Sequence, residues 1–186
     1  MKKRIVMFLP VPPPFSGPEI SSQMLLKHLP CRQICVKHVI SSIRSENSQR
    51  GTLNFRGVLK FFQVYFKLIQ TLIKKNSHAV YFLITSNRIG FTRDLFVIVL
   101  ARLFRIPAVA HYRGGFFDEF YNSENIVGQW IIRTAMRSLC LTICQAEVLR
   151  SMFKDIVPPT KVTVLYNGLL IPRDPANAIE HNRIKR

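Results

Sequence analysis

Six short, mostly apolar runs, separated by segments long enough to be helices, constrain this chain more than any other feature. They cover 4–9, 34–40, 79–84, 108–112, 139–144 and 161–166. A strand wetted on one side alternates apolar and polar residues, whereas a strand covered on both faces does not. The intervening segments 18–29, 57–75, 92–104, 126–137 and 146–153 read as helices. Pro18 and Glu19 suit a first helical turn, the proline by its fixed φ and the acid by its charge against the helix dipole. Strands alternating with helices predict an α/β fold, a doubly wound, mostly parallel sheet with helices on both faces. Ligands in such sheets bind beyond the carboxyl ends of the strands. The loops expected to matter are therefore 10–17, 85–90 and 113–121, with Gln145 and 167–168. The pattern predicts one Rossmann-like domain over 1–170. Pro172, Pro175 and the polar tail then read as a linker over 171–186, leading towards a second domain.

Charge narrows the partners. Twenty-seven Lys and Arg against 10 Asp and Glu give +17, an excess that favours polyanions such as nucleic acid, an anionic membrane or phosphorylated ligands. Nucleic-acid binding wants basic and aromatic residues interleaved on one exposed surface. The aromatics here fall mostly in core-type apolar patterns, so no nucleic-acid partner is expected. No run approaches the roughly 20 apolar residues of a membrane span. The start, Met1-Lys2-Lys3-Arg4 followed by Ile5 to Leu9, imitates a signal peptide, but its apolar core is short and prolines follow it. It reads as a buried first strand, and the expected compartment is the cytoplasm, with peripheral contact at the inner face of the membrane. The cysteines fall as Cys31-x3-Cys35 and Cys140-x3-Cys144. Structural zinc prefers tighter knuckles in polar turns, so buried free thiols and no metal are expected.

Three signatures of rival chemistries are missing: the glycine-rich dinucleotide fingerprint, the P-loop and the nucleophile elbow. What stands instead is an ordered series. Phe15-Ser16-Gly17-Pro18-Glu19 follows the first strand. Ala101-Arg102-Leu103-Phe104-Arg105-Ile106-Pro107-Ala108-Val109 and His111-Tyr112-Arg113-Gly114-Gly115 come later. Ile143-Cys144-Gln145-Ala146-Glu147 and Lys161-Val162-Thr163-Val164-Leu165-Tyr166-Asn167-Gly168-Leu169 close it. In order and spacing, over about 4–170, this series resembles the amino-terminal domain of family 4 glycosyltransferases, retaining nucleotide-sugar enzymes of GT-B architecture. The resemblance implies that this domain mainly binds a polysaccharide or lipid-linked acceptor, while a carboxyl-terminal domain binds most of the nucleotide sugar. It implies no cofactor and no metal. The family's paired-glutamate motif has no match here, so the chain alone is expected to lack transferase activity. The rival reading is a basic, non-catalytic module for an anionic membrane or nucleic acid.

Residue by residue, Gly17 lets backbone N–H groups approach a ligand, and the helix behind it favours a diphosphate. The family's second loop glycine is Pro18 here, which removes a donor, and a plain strand-to-helix turn is the alternative. Val109, His111 and Arg113 alternate onto one face of the fourth strand, with Arg113 nearest the cleft. The family commonly has His-Gly where this chain has Arg113-Gly114. A guanidinium is no base near neutral pH, but it can clamp a phosphate or carboxylate. Gly17, Arg113 and Gly114 are thus the donor-side candidates. Glu19, Asn87, His111, Phe116, Asp118 and Glu119 are the acceptor-side candidates, since rings stack on sugars and carboxylates accept hydroxyl protons. His111 could equally be a core histidine, and Phe116 to Tyr121 a helix start packing its aromatics. Asn167-Gly168 is either a turn or, by the resemblance, the interdomain hinge.

On the helix expected from Gly57, the residues Arg56, Lys60, Gln63, Lys67, Gln70 and Lys74 recur every three or four positions as one basic stripe. Nearly everything else on it is apolar. Burial among neighbouring helices is one explanation. Insertion at an anionic membrane surface, with Lys60, Lys67 and Lys74 against the lipid headgroups, is the other.

Overall fold

The computed structural model describes residues 3–29, 34–41, 55–74 and 77–166. Asn167, Gly168, Cys31, the Arg56 side chain and the linker lie outside them. The chain forms a six-stranded, all-parallel sheet in the order β2-β1-β3-β4-β5-β6, with helices on both faces. The strands are β1 Lys3–Leu9, β2 Ile34–Ile40, β3 Ser77–Ile84, β4 Ala108–Tyr112, β5 Leu141–Cys144 and β6 Val162–Val164. The helices are α1 Gly17–His28, α2 Phe55–Ile73, α3 Arg88–Leu103, α4 Phe117–Asn122 and α5 Ile126–Ser138. A 3-10 helix, Glu147–Phe153, stands where an α-helix was expected.

Direction of travel explains the layering. From β1 the chain moves outward to β2, then returns past β1 and steps steadily through β3, β4, β5 and β6. Right-handed crossovers therefore put α1 on one face and the later helices on the other. The cores agree. Leu25 and Leu26 of α1 and Leu29 just after it pack on Met7, Leu9 and Tyr81. On the opposite face Val6, Phe8, Val80, Phe82 and Ala110 meet Tyr65 and Leu68 of α2, Val97 and Ile98 of α3, and Met136 of α5.

Two elements differ from expectation for identifiable reasons. Helix α3 starts a turn early because Asn87 accepts from Gly90 N–H (2.8 Å) and caps it. A side chain on Gly90 would collide with Thr85. Helix α4 forms because Phe117, Phe120 and Tyr121 are buried, Phe117 packing between Tyr112 and Phe153. The thiols differ too: Cys144 is buried, but Cys35 and Cys140 are exposed. Cys35 lies on the sheet's edge strand, and Cys140 stands one residue before β5 begins.

One buried carboxylate fastens the β3–α3 corner. Asp94 Oδ2 accepts from the backbone N–H and the hydroxyl of Thr85, both at 2.8 Å. Its Oδ1 accepts from Arg93 Nε (3.0 Å) and Nη2 (2.8 Å). The Arg93 carbonyl in turn accepts from the Tyr65 hydroxyl at 2.5 Å, which ties α2 to α3. Burial pushes the Asp94 carboxyl up and the guanidinium pulls it back. Removing one partner from a buried pair leaves the other uncompensated. Asp94→Asn is therefore expected to lower stability by about 3 kcal/mol, read as a fall in the urea midpoint. A loss within about 0.5 kcal/mol, the level of an ordinary surface change, would show that this corner does not depend on the carboxylate.

Candidate functional site

Strand order reverses between β1 and β3, and the crevice beyond the carboxyl ends of strands at such a point is where doubly wound sheets take ligands. Its walls are the β1–α1 loop, the β3–α3 loop and the segment after β4.

Arg113, one residue beyond β4, projects to the α1 side of the sheet. Its Nη1 donates to the Ser21 hydroxyl on α1, and its charge lies close enough to the Tyr81 hydroxyl on β3 to act on it. Its Nε is buried without a hydrogen-bond partner. No carboxylate among the described residues forms a salt bridge with it. The guanidinium is thus half-buried, held by a hydroxyl, with its charge left uncompensated.

The hydroxyl of Tyr81 lies 2.5 Å from His111 Nδ1. The Tyr81 hydroxyl keeps its proton and donates it as a hydrogen bond to Nδ1, with its lone pairs free to face the Arg113 charge. That assignment leaves the imidazole proton on Nε2, which is buried and unpartnered. Burial, and then the nearby Arg113 charge, lower the His111 pKa to about 4. The ring is therefore neutral at pH 7. Burial also raises the Tyr81 hydroxyl, which keeps it protonated as a donor. Below this polar chain lies an apolar cavity of about 210 Å³, lined by Met7, Leu25, Leu29, Tyr81, Val109 and Leu165 among others.

Beside it, Tyr112 locks two loops together. Its hydroxyl donates to Ser86 Oγ (3.0 Å) and accepts from Phe116 N–H (3.2 Å). Gly114 is explained by this tyrosine: a Cβ there would stand 2.7 Å from Tyr112 Cζ. Gly17 and Gly115 face open space.

The acceptor-side candidates divide. Phe116 is exposed on its loop, Asp118 is half-buried and Glu119 exposed, both in the first turn of α4. Asn87 is committed to capping α3. Glu19 accepts from the Ser16 hydroxyl at the start of α1, and its carboxylate already occupies the positive end of that helix. His111 is buried and reaches the crevice only through Tyr81. The hinge pair Asn167 and Gly168 falls outside the described residues. Lys60 and Lys67 on α2, and Lys74 one residue past its end, are exposed on the face of the sheet opposite α1 and Arg113.

Sequence reasoning missed Tyr81 and Ser21. Tyr81 sits inside the apolar run Val80-Tyr81-Phe82, where a phenol needs a partner, and that was the available signal. Ser21 gave none, because only the fold brings α1 within reach of Arg113. A second groove, about 460 Å³, lies at the opposite edge of the sheet beside Arg102, Arg137 and Lys161. Lys161 Nζ donates to the Arg137 and Leu139 carbonyls (2.7 and 3.0 Å), so it serves as the C-terminal cap of α5.

Two outcomes follow for this cluster. A histidine held neutral takes up its proton more readily when unfolded, so its contribution is present above pH 6.5 and is lost between 6.5 and about 4. Between pH 7 and 5 the parent should therefore lose about 2 kcal/mol that His111→Gln does not, measured by urea unfolding at both pH values. Equal losses would mean that His111 titrates normally. Gly114→Ala should displace the Tyr112 ring and cost roughly 1–3 kcal/mol, whereas Gly115→Ala should be within about 0.5 kcal/mol of the parent. Thermal melts separate the two.

Compared with known proteins, the chain matches no family model and no curated protein.

Proposed function

We propose that this chain is the acceptor-side domain of a retaining, metal-independent glycosyltransferase that elongates a polysaccharide or a lipid-linked glycan. The observation that carries the reading is Arg113. It is an uncompensated guanidinium at the carboxyl end of β4, beside the point where strand order reverses, next to the open Gly115. Such a group suits the paired oxygens of a phosphate or uronate. The exposed ring of Phe116 and the acids Asp118 and Glu119 suit sugar hydroxyls. The ordered motifs from Phe15 to Leu169 carry the resemblance, and catalysis would rest on electrostatic stabilisation of the departing nucleotide diphosphate. Most of that stabilisation would come from a donor-binding domain.

Calorimetric titration of the chain with nucleoside diphosphates, sugar phosphates and uronate oligosaccharides tests this. Arg113→Lys keeps the charge but loses the planar fork. It is expected to weaken binding about ten- to hundredfold, the equivalent of a charge-assisted hydrogen bond of roughly 1.5–3 kcal/mol, with unchanged far-UV circular dichroism. Unchanged affinity would remove Arg113 from the site. Sugar transfer by this chain alone would overturn the division between two domains.

A further inference from the structure

Helix α2 presents two different rows to solvent. Lys60, Lys67 and Lys74, seven residues apart, lie along one edge of its outer surface. Phe62, Phe66 and Ile73 lie along the other, with Phe62 64% exposed. These rings do not belong to the core, because Phe61, Tyr65, Leu68 and Leu72 already face the sheet. The apolar row lies on the side towards α3: Phe96 of α3 packs on Phe61 (5.5 Å between ring centroids) and Tyr65 (5.8 Å). It continues there through exposed Phe96, Val99 and Leu103. Helix α5, which packs on α3, adds Val127 and Trp130.

The exposed charges on these helices have one sign. Lys60 and Lys67 on α2, Lys74 one residue past its end, Arg102 on α3 and Arg137 on α5 are all exposed. The sole carboxylate in the three helices is Asp94, which is 1% exposed and paired with Arg93. An exposed apolar patch beyond a few hundred Å² marks an interaction surface. Two copies packed face to face would set basic rows against basic rows with no carboxylate to answer them. Nucleic acid would satisfy the lysines and leave the phenylalanines in water. An anionic bilayer satisfies both, with phosphates level with the lysine and arginine heads and an acyl boundary for Phe, Leu and Trp.

We propose that the outer face of α2, α3 and α5 seats on an anionic membrane surface, whatever the crevice binds. Trp130 is the chain's only tryptophan and lies on this face, 66% exposed, so it reports contact directly. With vesicles containing phosphatidylglycerol, its emission should shift to the blue and be quenched by acyl-brominated lipid. With phosphatidylcholine alone neither should occur. Raising salt from about 0.05 to 0.5 M should release the protein, because exposed charges are screened. The double change Lys60→Glu with Lys67→Glu should weaken vesicle binding at least tenfold. The change Phe62→Ser with Phe66→Ser should also weaken it, both with parent-like circular dichroism. Binding to anionic vesicles with Trp130 unshifted would overturn the proposal, as would equal binding to phosphatidylcholine. So would light scattering that shows lipid-free dimers shielding Trp130. None of these outcomes depends on sugar binding, so failure here leaves the reading of the crevice standing, and the converse holds.

Discussion

Parallel strands can be joined only by crossovers, and crossovers are right-handed because twisted strands and right-handed helices pack back on a sheet in that sense. In this chain the first step goes one way and all later steps the other. That chirality alone isolates α1 on one face and gathers the later helices on the other. Everything distinctive follows from the sorting. The lone helix brings Ser21 within reach of Arg113. The crowded face carries three helices side by side, and their outer surfaces form one continuous layer.

The crevice is stiff for reasons that lie beneath it. Thr85, just beyond β3, is gripped by the Asp94 carboxylate. Ser86, its neighbour, is held by the Tyr112 hydroxyl, which also takes the Phe116 N–H. Two loops from different strands are thus fixed to one tyrosine and one aspartate before any ligand arrives. On the α1 side the series Arg113, Tyr81, His111 is polarised in one direction and ends on an unpartnered Nε2. A buried polar group left without a partner is costly. Its neutrality at ordinary pH lets the protein keep it.

The strands were legible because burial on both faces removes polar residues from them, and Ile34–Ile40 and Ala108–Tyr112 were bounded to the residue. Other positions turn on local chemistry, which periodicity does not report. Asn87 reads as a ligand-loop residue until Gly90, three positions on, identifies it as a cap. Glu19 reads as a sugar ligand, and its carboxylate accepts from the hydroxyl of Ser16, three positions before it. Gly114 reads as space for a ligand, whereas the space is filled by Tyr112, which no spacing rule foretells. Arg113 stands out in the sequence because a cation beside two glycines at a strand end is unusual. The hydroxyls beside it come from residues 92 and 32 positions away in the chain. The basic stripe on α2 was visible as a period. That its neighbouring rings stay outside the core was not, since an apolar residue looks the same whether it faces a sheet or water.

All six strands point the same way, so every carboxyl end emerges at one edge, and that edge is perpendicular to the outward direction of the helix layer. A partner flat against α2, α3 and α5 therefore leaves the crevice unobstructed, opening sideways. Arg113 lies on the α1 side of the sheet, so a guest anchored in that partner's plane would have to span the helix layer and the sheet edge to touch it.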